Sequence, residues 1–360
     1  MSAAASSAAG GKRVLITGGA GFIGTNLADR LAREGEPVLL FDDLSRPGVE
    51  RNVRWLTATH PTLVEVERGD TRSQARVARV VRDASSVFHL AAQVAVTTSL
   101  TDPIHDFEVN ARGTLNVLEA VRARSRPPPL VFTSTNKVYG ALDDVEVVPG
   151  ALRYEPPPGS PWARGIGEAR PVEFHSPYGC SKGSADQYVL DYARTYRLPA
   201  IVVRMSCIYG PHQHGNEDQG WLAHLIRAAQ RGEPITIYGD GRQVRDALFV
   251  EDLVDAFLLA RTGMHRAAGQ AFNVGGGPQR TLSLLELVSM IEELDGERPV
   301  VKYDAWRAAD QRWYVSDTRK IERTLSWRPT VGVAEGVRRL HSWLRAEERA
   351  VPPEAAEVHV

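Results

Sequence analysis

Cysteine is scarce in this sequence: Cys180 and Cys207 are the only two among 360 residues. Two thiols cannot build a disulfide framework, so a reduced, cytoplasmic setting is expected. An excess of one charge is also missing. Lys and Arg number 43 against 44 Asp and Glu, a formal net charge of -1. With no basic field, neither nucleic acid nor a membrane surface is an expected partner. No apolar stretch approaches the length of a bilayer span. Residues 1–11 are Ala, Ser and Gly with no basic start and no long apolar centre. They are read as a disordered tail and not as a signal peptide, and 351–360 as a second tail. His212 and His214 lack a Cys or acid at ligand spacing, so no metal is expected; a polar loop near the substrate is the simpler reading. Internal repeats are absent as well.

What is present begins with Arg13-Val-Leu-Ile-Thr-Gly18-Gly-Ala-Gly21-Phe-Ile-Gly24. An apolar run enters a glycine cluster, and a helical pattern follows through Phe22, Ile23, Leu27 and Leu31. This is the dinucleotide fingerprint in its required strand–turn–helix context. The glycines let the backbone approach a pyrophosphate at the positive end of a helix. A second apolar run, Val38-Leu-Leu-Phe-Asp42, ends in an acid about 20 residues beyond the glycines, where a carboxylate holds the adenine ribose. A carboxylate there repels a 2′-phosphate and favours NAD, although the nearby Arg46 keeps NADP open.

Candidate strands begin near Val14, Val38, Leu63, Val87, Leu130 and Ile201, alternating with helical or loop segments. The expected fold is therefore α/β: a Rossmann-like, doubly wound parallel sheet over 12–205. A helix is expected from about 103 to 124, opened by Asp102-Pro103 and stopped by Arg126-Pro-Pro-Pro129. Residues 141–175 break the rhythm with Pro and Gly, and a segment that long is expected to form a lid. Beyond 206 the chain changes to short strands (235–237, 271–274) and amphipathic helices near 221–231, 251–262 and 283–294. This reads as a smaller, partly interleaved α/β substrate lobe extending to about 350.

Two further segments carry chemistry. Leu130-Val-Phe-Thr133-Ser134-Thr135-Asn136-Lys137 is a strand that ends in three hydroxyl residues, which point into the crevice where open α/β sheets bind ligands. A polar strand end that satisfies its own loop is the alternative. Ser176-Pro-Tyr178-Gly-Cys-Ser-Lys182 places a phenol and an ammonium one helical turn apart on one face. A lysine so placed is expected to lower the tyrosine pKa toward working pH, making it a usable acid/base for a hydroxyl group.

These motifs, with His89-Leu-Ala-Ala92, Asn110, Val138-Tyr139-Gly140 and Gly241-Arg-Gln-Val-Arg245-Asp246, together resemble the extended short-chain dehydrogenase/reductase family over nearly the whole chain. Longer segments resemble the family's nucleotide-sugar 2-epimerases: residues 93–99, 134–140, 174–183, 185–188, 218–221 and 310–312. The resemblance implies NAD as cofactor, a nucleotide-diphosphate sugar as substrate, and a homo-oligomer, dimer or tetramer. It implies Thr135, Tyr178 and Lys182 as the catalytic set. Around the cofactor it implies Gly18, Gly21, Phe22, Ile23 and Gly24, then Asp42, Asp43, Leu44, Ser45 and Arg46, then Asp70 and Thr71. Further along it implies Leu90, Ala91, Ala92, Gln93, Asn110, Thr133 and Met205, together with Tyr178 and Lys182. For the substrate it implies Gln93, Thr98, Ser134, Asn136, Cys207, Gln219, Trp221, Tyr238, Arg245 and Arg312, the two arginines clamping the diphosphate.

A hydrogen on a sugar carbon without an adjacent carbonyl is not acidic enough to remove directly. Inversion there needs temporary oxidation, with Tyr178 taking and returning the hydroxyl proton. Sugar-nucleotide dehydratases of the family commonly carry acids just after the active-site Thr. Asn136-Lys137 stands there instead, which favours epimerisation over dehydration. Inversion at C4, or net oxidoreduction of a related sugar, is the alternative within the family. A non-catalytic dinucleotide sensor would tolerate loss of the Tyr/Lys/Thr set, which is intact.

Overall fold

Val14 and Ile16 point to one face of a strand and Leu15 to the other, and both faces are buried. A strand apolar on both sides fits the middle of a parallel sheet sandwiched between helices. The computed structural model describes residues 12–307 and 310–350 and places that strand, Arg13–Thr17, in such a sheet. The two expected tails lie outside the described residues.

The other strands are Val38–Asp42, Val64–Arg68, Ala84–His89, Leu130–Thr135, Ala200–Met205 and Ala271–Val274. Across the sheet the strands starting at 271, 200, 130, 84, 13, 38 and 64 lie in that order, all paired in parallel. The chain leaves Arg13–Thr17 toward one edge, then restarts on its other side with Ala84–His89. This reversal opens a crevice at the carboxyl ends of those two strands, where ligands of such sheets bind.

Leu27, Leu31, Leu56 and Phe88 belong to the buried cluster on one face, and Val77, Val117, Phe132 and Val189 to that on the other. Each such side chain contributes about 1.5–3 kcal/mol through burial. The first cluster also takes Leu253 and Phe257 from the helix Val250–Thr262, and Phe272 and Val274 from the seventh strand. Both elements follow residue 205, so the chain returns from the second lobe to complete the first. The second lobe is built around the strand Val244–Phe249, which pairs with Thr281–Ser283, Trp313–Tyr314 and Cys207–Tyr209. The helices Trp221–Gln230, Leu284–Asp295 and Val333–Ala350 cover it.

Two segments differ from expectation. The helix expected over 103–124 is interrupted: Pro103–Phe107 and Gly113–Arg122 are joined by a π-helical turn over Glu108–Arg112. The segment 141–175 is no free lid. It contains a small hairpin, Val148–Pro149 with Tyr154–Glu155, and is fastened to the second lobe. Arg153 pairs with Glu286 at 2.6 Å, Tyr154 donates to Asp240 at 2.7 Å, and Ile166 exchanges backbone bonds with Val315 and Asp317. Leu142, Val145 and Ile166 bury against Trp313 and Tyr314. Apolar side chains distributed among its prolines give the segment a core of its own.

Candidate active site

The glycine turn is shaped by close approach. Gly18 has φ +69°, and a Cβ on it would stand 2.6 Å from the Ala91 nitrogen. A Cβ on Gly24 would stand 2.6 Å from the Gly18 carbonyl. At Gly21 the nearest atom for such a Cβ is the Gly18 carbonyl at 3.3 Å, which leaves that side of the turn open. The helix Phe22–Arg33 starts without a side-chain cap. Phe22 and Ile23 pack their side chains against the sheet, so their backbones are what they offer at the turn.

Asp42 stands at the end of its strand, accepting from the Ala20 amide at 3.0 Å and the Leu44 amide at 2.9 Å. Each carboxylate oxygen retains acceptor capacity. Burial pushes the Asp42 pKa up, and the two amides and Arg46 oppose that rise. Asp43 accepts from both the amide and the hydroxyl of Ser45. A cavity of about 300 Å³ runs from this strand end along the crevice. Gly18, Gly21, Asp42, Asp43, Ser45 and Arg46 line one part of it, Asp70 and Thr71 another. Leu90, Ala91, Ala92, Gln93 and Thr98 line a third part. An uncapped helix start, a turn open at Gly21 and a carboxylate at the strand end suit a dinucleotide. The residues fit NAD.

Gly69, Val94, His105, Asn216 and Asp218 line the same cavity without having been expected there. Gly69 carried the available signal, because a glycine after a strand implies close approach: a Cβ there would collide with the Phe41 ring. Asn216 and Asp218 reach the cavity from the second lobe, and no local pattern announces that. Phe22, Ile23, Gly24, Leu44, Asn110, Thr133, Tyr178, Lys182 and Met205 lie outside the cavity lining. Met205 packs against the core, and Asn110 works on the loop beside the cavity. The Asn110 side chain accepts from the Gln93 amide at 2.9 Å and donates to the Gln93 carbonyl at 3.1 Å.

The helix Ser176–Thr195 brings Tyr178 and Lys182 onto its buried face beside the strand Leu130–Thr135. Tyr178 is hydrogen-bonded with Thr135. The Lys182 ammonium donates to the Thr133 carbonyl at 2.7 Å and lies 4.4 Å from the centre of the Phe132 ring. The expected direction of the Tyr178 shift is corrected here. Burial pushes the phenol up to about 12, with the Thr135 bond opposing and Asp106 reinforcing the rise. Burial also lowers Lys182 to about 8, against the carboxylates of Asp186 and Asp106. Helix spacing puts both groups on one buried face, and the loss of water there dominates the shift of each.

His89, the first residue of the His89-Leu-Ala-Ala92 motif, is fully buried between Thr17 at 2.6 Å and Thr114 at 3.0 Å. Thr114 gives its own proton to the Asn110 carbonyl, so Nε2 of His89 donates and Nδ1 accepts. Burial holds this imidazole neutral, pushing its pKa down to about 3.

The expected substrate residues separate into groups. Gln93, Thr98 and Gln219 line the cavity. Ser134 donates to Asp186 at 2.8 Å, and Arg204 holds that carboxylate by two bonds of 2.9 Å, so this hydroxyl is engaged inside the fold. Asn136 donates to Gln311 at 3.2 Å. Cys207 accepts from the Trp221 indole at 3.1 Å. Tyr238 donates to Glu217 and lies under Arg307, whose guanidinium is 4.0 Å from the ring centre. Arg245 and Arg312 lie on neighbouring paired segments, since the Val244 amide donates to the Arg312 carbonyl. Arg245 is paired with Asp310 at 2.5 Å, and Arg312 faces the rings of Tyr154 and Trp306. Lys137 is half-buried near Arg245 and Asp310, and its pKa is lowered to about 8, chiefly by loss of water.

His212 and His214 begin the loop whose next residues, Asn216, Asp218 and Gln219, line the cavity. His212 packs 4.1 Å from Trp55 and 5.3 Å from Trp343, and His214 bonds Asn52 at 3.1 Å. They fasten their loop to the helix Val49–Thr59 and to the last helix. Among the described residues no group of His, Cys, Asp and Glu could hold a metal ion, and no helix is long and apolar enough to cross a membrane.

The sequence profile of the NAD dependent epimerase/dehydratase family matches residues 14–275. The chain is 40% identical to CDP-paratose 2-epimerase from Salmonella typhi over 92% of this chain and 98% of that protein. Its fold is similar to that of Thermus thermophilus UDP-glucose 4-epimerase in complex with NAD, with a TM-score of 0.77 and 32% identity, covering 94% of this chain and 100% of that one. It is also similar to dTDP-glucose 4,6-dehydratase from Streptomyces venezuelae with NAD bound, with a TM-score of 0.81 and 28% identity, covering 95% and 99%. The protein belongs to the NAD dependent epimerase/dehydratase family, whose extended short-chain dehydrogenase fold it shares.

Proposed function

We propose that the protein is an NAD-dependent epimerase that inverts C2 of a nucleotide-diphosphate sugar, of the CDP-paratose/CDP-tyvelose kind. The observation that carries this reading is the 40% identity to a CDP-paratose 2-epimerase across almost the full length of both chains. Asn136-Lys137 after Thr135 adds to it, because neither side chain is a carboxylate able to drive water loss.

Gly18, Gly21 and the first amides of the helix Phe22–Arg33 would hold the pyrophosphate of NAD, Asp42 the adenine ribose and Lys182 the nicotinamide ribose. The chemistry the cofactor would supply when bound is reversible hydride acceptance, with no net consumption. Thr135 orients the reacting hydroxyl, and Tyr178 takes its proton and later gives it back. Lys182, cationic below about pH 8, favours release of the phenolic proton. Arg245 and Arg312 hold the diphosphate, for which Arg245 must exchange its bond to Asp310. Gln93, Thr98 and Gln219 contact the sugar, and Tyr238 borders the nucleobase.

Self-association is part of this reading. Leu100, Ile104, Phe107 and Tyr188 are exposed on three adjoining helices, and a second copy would cover them. A cytoplasmic setting accords with the two cysteines, both free. The test is incubation with CDP-, UDP- and dTDP-sugars, with products followed by NMR. Inversion at C2 is expected; inversion confined to C4, or loss of water, would replace this reading.

A further inference from the structure

Two carboxylates lie buried near the Lys182 ammonium, and they are treated differently by their surroundings. Asp186 receives two bonds from the Arg204 guanidinium and one from Ser134, so an opposite charge answers its own. Asp106, wholly buried on the short helix Pro103–Phe107, forms no ion pair among the described residues. Its donors are neutral. Ser181, three residues after Tyr178, donates to Oδ2, and Asn110 donates to Oδ1 at 3.1 Å. A buried carboxylate held only by neutral donors is costly unless its charge acts on something nearby.

What it acts on is the Tyr178–Lys182 pair. The charged and titratable groups facing Asp106 are Lys182 across the helix contact, His105 beside it and Tyr178; burial raises the Asp106 pKa, and the Ser181 bond, Lys182 and His105 oppose that rise. Those facing Lys182 are Asp106 and Asp186, with His89 behind the strand, and those facing Tyr178 are Thr135 and Asp106. A negative charge here favours the ammonium and opposes the phenolate, so both effects keep protons on the pair. The same carboxylate also holds the loop at the cavity. The π-helical turn sets Asn110 between Asp106 and Gln93, and the Asn110 side chain bonds both. π-turns inside helices frequently mark functional positions.

We infer that Asp106 is a positioning residue that keeps the proton on the Tyr178–Lys182 pair and ties that pair to the Gln93 loop. This rests on the proposed acid/base role of Tyr178. The test is the pH dependence of turnover in the NAD-loaded protein, with three variants. Asp106→Asn removes the charge, so the pair releases its proton at lower pH. The acidic limb should move down by about one pH unit, roughly tenfold in relative rate on the limb. Asp106→Glu keeps the charge and should leave the limb in place even where the rate falls. Ser181→Ala keeps the charge and loosens one tie, so it should leave the limb unmoved.

An unmoved limb in Asp106→Asn, or an equal displacement in Asp106→Glu, would overturn the inference. Should Asp106→Asn fail to fold, Asp106→Ser removes the same charge from a smaller side chain. The near-ultraviolet tyrosinate signal lost in Tyr178→Phe must titrate lower in that variant than in the unsubstituted protein, and an equal titration overturns the inference. Near-normal turnover in Tyr178→Phe would instead remove the acid/base reading itself. Lost turnover in that variant beside an unmoved Asp106→Asn limb removes only the role of Asp106.

Discussion

The two ends of the crevice are built from different materials. At the cofactor end the shape belongs to the backbone: the Gly18 turn, the open side of Gly21, the uncapped helix start, and Asp42 held by two amides. At the proposed sugar end the surface is made of long side chains bonded to one another: Arg245 with Asp310, Tyr238 with Glu217, and Arg307 with the Glu217 carbonyl at 2.9 Å. A backbone-built site is ready for its ligand. A site of paired side chains must exchange partners when the ligand arrives, so part of the binding energy is offset by bonds already present. The difference suits a cofactor that stays and a substrate that comes and goes.

The largest expected effect lies where the two ends meet. Tyr178→Phe removes one hydroxyl, so the fold and NAD binding should persist while turnover falls about 10²–10⁴-fold. Single-turnover kinetics beside a melting curve would separate the two, and retained turnover would mean that another group moves the proton.

Next comes the preformed end. Asp42→Ala should weaken NAD binding about 10- to 100-fold, the size of lost hydrogen bonds to a charged acceptor. It should also narrow the preference over NADP. Calorimetric titration with both cofactors measures this, and an unchanged preference would show that the carboxylate serves only its two amides.

The smallest effect belongs to the exchanging end. Asp310→Asn frees Arg245 from its present partner and removes a negative charge facing an incoming diphosphate. KM for the nucleotide sugar should fall roughly two- to fivefold, in keeping with one partly exposed ion pair. A rise in KM would mean that Asp310 aims Arg245 and does not compete for it, and the comparison would then lose its second half.

The same contrast explains which features could be read from the chain. Strand ends, glycine turns and the Tyr178–Lys182 spacing are local, and the parallel sheet followed from runs such as Val38–Asp42. The bonds of the proposed sugar end join distant residues: Arg245 and Asp310 are 65 positions apart, and Arg307 and Glu217 are 90 apart. Nothing in the pattern of 103–124 announces a π-turn at Asn110. The Tyr178 shift was misjudged for a related reason, since spacing reveals a neighbouring ammonium but not how completely water is excluded. The helix Val250–Thr262 has the periodicity expected of it, yet its side chains Leu253 and Phe257 fill the core of the other lobe.

Hydride that leaves and returns at C2 leaves an isotopic record. A nucleotide sugar deuterated at C2 is converted in light water, and the unlabelled sugar is converted in heavy water. The inverted product should keep its deuterium at C2 in the first experiment and take up no solvent deuterium there in the second. Washing out of the label, or solvent deuterium appearing at the inverted carbon, would contradict transient oxidation and point to removal of a carbon-bound proton.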